Sequence, residues 1–555
     1  MNEQKLYAGA ASRDITPGAG TYMDGYGVRG RTSLGKYDPL YVKALYLSFD
    51  DPRGDDGSRA ADGKTTARAN DTAPRKNDRN SSPAPGGGRD IECGNTPHLF
   101  LTLDVCGASE ELEMTMAASV CARLGLPREA LTLAFTHTHS GPACGILKDL
   151  PFDWQYWRGV IDIVCECAAE ARSKRAPVTL KIYETTADIG VNRREVRDGR
   201  VVLGQNEAGD LDRTVRILAF YPECCELCAP DIMIVHASCH PTSLGGDNRY
   251  ISADYPGALY RRMAEVYPHT AVLFINGGAG EVNPRRLPDE DGLERAHRTG
   301  AALAEAVLAA IAHCSKTDIK NNNEQISYDY ELTSNITGFN ADKNINAKIT
   351  VTAIPQAHDN TQTLPNSDTQ SQPPQTTPAS VKQLRRFVPV TFAALPPLPE
   401  LMDKLTECYL RSEEVNIPGR PPGNPLVAER NLKWYGEAVA RKEHGSEVRE
   451  KAVPIQLMEL NGEILFVQMP FETFSSTVKK IVGVAQSAGY RHENVFVCGY
   501  ANGVYGYLTP DYALCEGGYE SESSYMWYGL PAPYDERCET GVIDAIADMI
   551  NVLRN

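Results

Sequence analysis

A chain of 555 residues with 42% apolar content can bury a large core, and its length alone admits three or four domains. A formal net charge of −16 excludes a surface built to neutralise nucleic-acid phosphates or to adhere to anionic membranes. No apolar run approaches the roughly 20 residues of a membrane-spanning helix, and Met1–Ser12 lacks the basic and apolar regions of a secretory signal. Fifteen cysteines, an odd number, then point to reduced thiols in a cytoplasm. Cys225 and Cys228 form a C-x-x-C pair, but no partner pair follows at zinc-finger spacing, which favours a solvent-facing loop.

In chain order, Tyr41–Phe49 and His98–Val105 read as strands. Between them, residues 51–93 are rich in Asp, Arg, Gly, Asn and Pro and read as a disordered insertion swelling a hairpin connection. Ser109 is placed to cap a helix with Glu110 and Glu111 in its first turn and Gly125 at its end. Strand-like runs follow at Leu131–Phe135, Val178–Tyr183, Thr214–Phe220, Asp231–Val235 and Ala271–Ile275, then a long helix over about 291–313. Residues 352–382, dominated by Gln, Thr, Pro, Asn and Ser, read as a second disordered insertion. Near the C-terminus Ile455–Leu460 and Glu463–Met469 flank Asn461-Gly462, a two-residue hairpin signal. Strands interleaved with helices predict an α/β fold, with mixed β-sheets flanked by helices.

Polar residues of interest stand where these runs end. Leu131, Leu133, Phe135, His137 and His139 alternate at period two, so a continuing strand would project both histidines from one face, where two imidazoles can share a metal. His240 precedes Pro241 and ends the next histidine-bearing run; His236 has the same parity and is the alternative ligand, with packing inside the strand as its other reading. Asn276-Gly277-Gly278-Ala279-Gly280-Glu281-Val282-Asn283 lets the backbone fold tightly, but it lacks both nucleotide-loop spacings. Glu472 stands where a helix through Val478 starts, a position that the helix dipole alone would favour. Tyr507 sits in a loop rich in Gly and Tyr.

Taken together, Met23-Asp24-Gly25-Tyr26, Thr136-His137-Thr138-His139-Ser140-Gly141-Pro142, Gly190-Val191-Asn192-Arg193, His240-Pro241-Thr242, Ser252–Gly257, Gly278–Pro284, Pro470-Phe471-Glu472 and Tyr507-Leu508-Thr509 resemble the neutral, non-lysosomal ceramidase family, in its order and over nearly the whole chain. The resemblance implies one catalytic Zn2+ held by His137, His240, Glu472 and Tyr507, with His139 and Arg193 facing the substrate. It further implies hydrolysis of an N-acyl amide, ceramide or a related lipid, through a zinc-activated water, with an oxyanion stabilised by His139, Arg193 and Tyr507. His139 is then the candidate acid for the leaving amine.

This chain departs from the family pattern in three places. Asn283 stands where the family has a serine and cannot form an acyl-enzyme, though it can donate a hydrogen bond to an oxyanion. Phe471 replaces a glycine beside the metal glutamate. The chain ends soon after Glu520, with no C-terminal immunoglobulin-like domain, so one catalytic domain over 1–555 is expected. Two other readings compete: a (β/α)8-barrel zinc amidohydrolase or esterase acting on a small soluble substrate, and a non-catalytic binding protein on the same scaffold.

Overall fold

The structure, a computed structural model, describes residues 5–49, 91–94, 96–223, 229–317, 327–332, 347–353, 380–414 and 425–554. Its centre is two sheets packed face to face. The larger has ten strands, ordered along its main path as Ala271–Asn276, Ile232–Ala237, Thr214–Pro222, Ala176–Thr186, Tyr7–Asp14, Tyr41–Ser48, His98–Leu103 and Leu131–Phe135. The smaller has five, ordered Val495–Cys498, Ile464–Gln468, Glu450–Leu460, Val381–Thr391 and Ile91–Gly94. Both sheets mix parallel and antiparallel neighbours.

Strand alternation explains the layering. In Tyr41–Ser48, Leu45 and Leu47 point into the core between the sheets, where they join Phe100, Phe220, Met458, Phe466 and Phe496. Val42, Ala44 and Tyr46 point the other way, against helices Glu110–Leu124 and Trp154–Ser173. Helices Asp254–Val266 and Gly292–Thr317 cover the same outer face further along. Ser475–Ser487 and Cys538–Arg554 cover the outer face of the smaller sheet. The order helix, sheet, sheet, helix is the α/β architecture of mixed sheets flanked by helices, and two open sheets stand where the barrel reading required closure.

The expected hairpin across the first insertion is present: Tyr41–Ser48 pairs antiparallel with His98–Leu103. Most of residues 51–93 and 352–382, like Cys225 and Cys228, lies outside the described residues. Both borders are narrower than composition suggests, because Ile91–Gly94 pairs with Val381–Thr391, and Thr352 and Ala353 pair with Ala176–Thr186. Backbone pairing recruits polar residues to a strand whatever their side chains prefer.

Four chain segments leave the carboxyl ends of parallel strands close together. Leu131–Phe135 and Ile232–Ala237 belong to the larger sheet, Ile464–Gln468 and Val495–Cys498 to the smaller. The Phe135 amide donates to the Tyr500 carbonyl at 3.0 Å, joining the two sheets at that end. Ligands of open α/β sheets bind beyond such strand ends.

Candidate metal centre

The strand carrying His137 stops at Phe135, so the two histidines do not leave one face of a continuing strand. His137 instead adopts φ +69°, a conformation that turns the chain sharply. Its amide donates to the Val105 carbonyl at 3.0 Å, which holds the turn. His139 donates its amide to the Pro241 carbonyl at 3.2 Å, and the Asn276 side chain donates to the Thr136 and Cys239 carbonyls. Those bonds tie the two histidine loops together, and Nε2 of His139 lies 3.1 Å from Nε2 of His137.

His137 Nδ1 lies 2.5 Å from the Cys106 carbonyl, and His240 Nδ1 lies 2.5 Å from the Ala279 carbonyl. A carbonyl only accepts, so each Nδ1 carries a hydrogen and each Nε2 is the atom turned toward Glu472. Glu472 Oε2 lies 3.3 Å from His137 Nε2 and 2.8 Å from His240 Nε2. All three side chains are buried, and their ligand atoms fall within 4.8 Å of one another. Burial, with the Arg193 charge nearby, pushes His240 down to about 4, so its imidazole stays neutral. Burial opposes the charge of Glu472, but His137 and His240 outweigh it and hold the carboxyl well below its usual range. Two imidazole nitrogens and a carboxylate oxygen thus converge on one buried point, where either a shared proton or a cation can hold them together. The donor set therefore fits a metal ion.

Cys106, His137 and His139 form a second group of the same kind, but the Cys106 carbonyl already engages His137 Nδ1. His236 is elsewhere: its Nε2 meets the Val497 carbonyl at 2.9 Å between the sheets, which is its packing role. Glu472 and Tyr507 are neighbours in a two-residue parallel bridge, so the phenol enters beside the carboxylate. The Tyr507 hydroxyl accepts from Arg193 Nη2 at 2.9 Å. Burial and the Glu472 charge raise that phenol well above its ordinary value against the opposing pull of Arg193, so it keeps its proton.

A cavity of about 710 Å³ reaches this centre, meeting His139, Arg193, Asn283 and Tyr507. Asn283 Oδ1 accepts from Thr242 Oγ1 at 3.3 Å and from Arg193 Nη1 at 3.4 Å, which leaves its Nδ2 hydrogens for a ligand. Phe471 is fully buried, its ring edge-on to Tyr534 with centroids 5.9 Å apart.

Sequence reasoning missed the residues that support these. Tyr528 donates its hydroxyl to Glu472 Oε1 and fixes the carboxylate from behind. Glu520 accepts from Arg193 Nε at 2.9 Å and from Arg194 Nη1 at 2.7 Å and so bridges two buried guanidinium groups, the second of which also pairs with Glu516. Neither residue lies in a patterned segment, and no signal in one sequence marks them. Tyr26 stands edge-on to His139, with ring centroids 4.9 Å apart. Tyr26 belongs to the segment Met23-Asp24-Gly25-Tyr26 already singled out in the sequence, and the structure shows why glycine precedes it: Gly25 has φ +88°, and a Cβ on it would come within 2.3 Å of His139 Cγ.

No family model and no curated protein matches the sequence. Solved structures do. Over 100% of this chain and 75% of its own, neutral ceramidase from Pseudomonas aeruginosa superposes with TM-score 0.57 at 16% identity. A ceramidase complexed with C2 superposes with TM-score 0.58 at 15% identity, over 100% of this chain and 76% of that one. At such identities the likeness speaks for backbone architecture, and on that ground the chain has the neutral ceramidase fold.

Proposed function

We propose that this protein is a zinc-dependent hydrolase of N-acyl amides, with His137, His240, Glu472 and Tyr507 as the metal ligands. The observation that carries the reading is the pair of imidazoles whose Nδ1 atoms both face carbonyls, so that both Nε2 atoms converge on Glu472 Oε2, at 3.3 and 2.8 Å. Two imidazoles, a carboxylate and a phenol would suit zinc, with the Tyr507 hydroxyl, which accepts from Arg193, as the fourth donor. Bound zinc supplies a Lewis acid and brings a water to a pKa of about 7.

The remaining steps belong to the chain. Arg193 and the Tyr507 hydroxyl sit side by side on the cavity floor, and Tyr507 accepts from Arg193, so its own hydrogen is free to donate. Together with Asn283 Nδ2 they offer donors to an oxyanion before it forms, which is the arrangement that lowers acyl-transfer barriers. His139 is held neutral by burial and by the neighbouring His137 and His240. Its Nε2 would take the proton that the attacking water loses and pass it to the departing amine. Asn283 has no nucleophilic oxygen, so no acyl-enzyme forms there.

Similarity to structures named as ceramidases supports an amide of lipid character, ceramide or a simpler N-acyl compound, within one catalytic domain. No described helix is long and apolar enough to cross a membrane. Ten free cysteines among the described residues suit a reducing cytoplasm. Elemental analysis of the purified protein and a screen of N-acyl amides with and without chelator test the reading. His240→Ala is expected to lose both the ion and turnover; full metal content and full activity in that variant would remove His240 from the centre. Metal without turnover on any amide would leave a binding protein on this scaffold.

A further inference from the structure

The cavity lining includes the apolar side chains Val28, Leu147 and Trp527. It also includes residues of the three-stranded sheet of Val282–Pro284, Gly190–Arg197 and Arg200–Asn206. Along Gly190–Arg197 the alternate residues Val191, Arg193, Glu195 and Arg197 face the cavity, as strand periodicity requires. Arg193 is paired with Glu520, and Arg197 bonds Glu195 at 3.0 Å. Arg286, just beyond the strand at 282–284, also lines the cavity and is exposed.

Among the described residues the Arg286 guanidinium has neither an ion pair nor a hydrogen bond, whereas its neighbours Arg285, Arg295 and Arg298 are each paired with carboxylates. Its backbone is nonetheless pinned. Gln205 Oε1 accepts the Arg286 amide at 2.7 Å, and Gln205 Nε2 donates to the Arg286 carbonyl at 3.4 Å. The Gln205 amide is held in turn by Glu195 Oε2 at 3.1 Å. A guanidinium without a carboxylate partner, carried on backbone that is held in place, therefore lines the cavity.

We propose that Arg286 binds a carboxylate on the amine half of the substrate, so that the preferred substrates are N-acyl amino acids rather than neutral N-acyl amides. The acyl chain then packs on Val28, Leu147 and Trp527, and the carboxylate meets Arg286. Guanidinium geometry favours a carboxylate because two parallel N–H groups match its two oxygens. The proposal rests on the amide-hydrolase reading above and narrows its substrate class.

The test compares N-dodecanoylglycine with N-dodecanoylethanolamine, which replaces the carboxylate by a hydroxymethyl group. The metal-loaded wild-type protein is expected to favour the glycine compound by about tenfold or more in kcat/KM, with the preference shrinking as salt rises. Arg286→Gln is expected to cut that preference about tenfold, mainly through KM, and Arg286→Lys to restore part of it. Equal kcat/KM for the two amides, or an unchanged preference in Arg286→Gln, overturns the carboxylate site and leaves the hydrolase standing. Hydrolysis of neither amide, nor of any other in the screen, overturns the hydrolase and the carboxylate site with it.

Discussion

His137 holds a left-handed backbone conformation that costs a residue with a Cβ roughly 1–2 kcal/mol, and the Val105 carbonyl and the two-histidine centre hold it there. The imidazole is aimed by that turn, while its tautomer is set by the Cys106 carbonyl. Tyr528 does the same for Glu472, by occupying Oε1 and leaving Oε2 to the histidines. Loss of such outer hydrogen bonds typically weakens metal binding about 10–100-fold. Tyr528→Phe is therefore expected to lower metal affinity in that range while the fold persists, as read by competition with a chromogenic chelator. Asn283→Ala removes one oxyanion donor and should reduce kcat by about 100-fold or more. Mass spectrometry of that variant during turnover should show no acyl adduct, and an adduct on the wild-type chain would sink the direct-attack mechanism.

Among elements, those with local signals formed as the sequence predicts. Ser109 Oγ accepts the Leu112 amide at 3.3 Å and caps Glu110–Leu124, which ends at Gly125 with φ +65°. Ser109→Ala is expected to cost about 1 kcal/mol in chemical denaturation, from the cap alone. Asn461 and Gly462 take the left-handed φ of +57° and +69°, and the Glu463 amide donates to the Leu460 carbonyl at 3.1 Å; the hairpin stands where expected, but Leu460 pairs with Ile464, so its loop has three residues and not two. Helix Gly292–Thr317 and strands Leu131–Phe135 and Ala271–Asn276 lie within a few residues of their expected bounds. Elements without local signals went unread: Gly190–Arg197 and Arg200–Asn206, which help line the cavity, are too polar to announce a buried strand. Continuing the strand through His137 failed for a related reason, since a non-glycine residue in the left-handed region leaves no mark in the pattern of hydrophobicity.

At the scale of the molecule, the two-sheet core also buries groups that tie its stability to pH. His98, hydrogen-bonded to Thr132 Oγ1 at 2.8 Å, is pushed by burial to about 3, against an ordinary value near 6.5. The unfolded chain thus binds a proton there that the folded chain refuses, and stability falls as pH drops below about 6.5 and goes on falling until about pH 3. Between pH 7 and pH 5 this group alone is expected to remove about 2 kcal/mol of unfolding free energy. His236, pushed to about 4 by burial and by Arg216, acts in the same direction. Denaturation curves of wild type and His98→Gln at the two pH values measure the effect, and equal pH slopes would contradict it.

From composition and spacing alone, the chain determines its alternation of strands and helices, its caps and turns, and the polar residues stranded where apolar runs stop. Those are local properties, set by periodicity, by backbone preference and by the few residues nearest in sequence. The convergence of residues 137, 240 and 472, the hydroxyl of Tyr528 behind the carboxylate and the unpaired guanidinium of Arg286 in the cavity are decided only by tertiary structure. They depend on which strand ends lie beside which. Sheet order and the stacking of one sheet on another set that arrangement over hundreds of residues, and no short window of sequence records it.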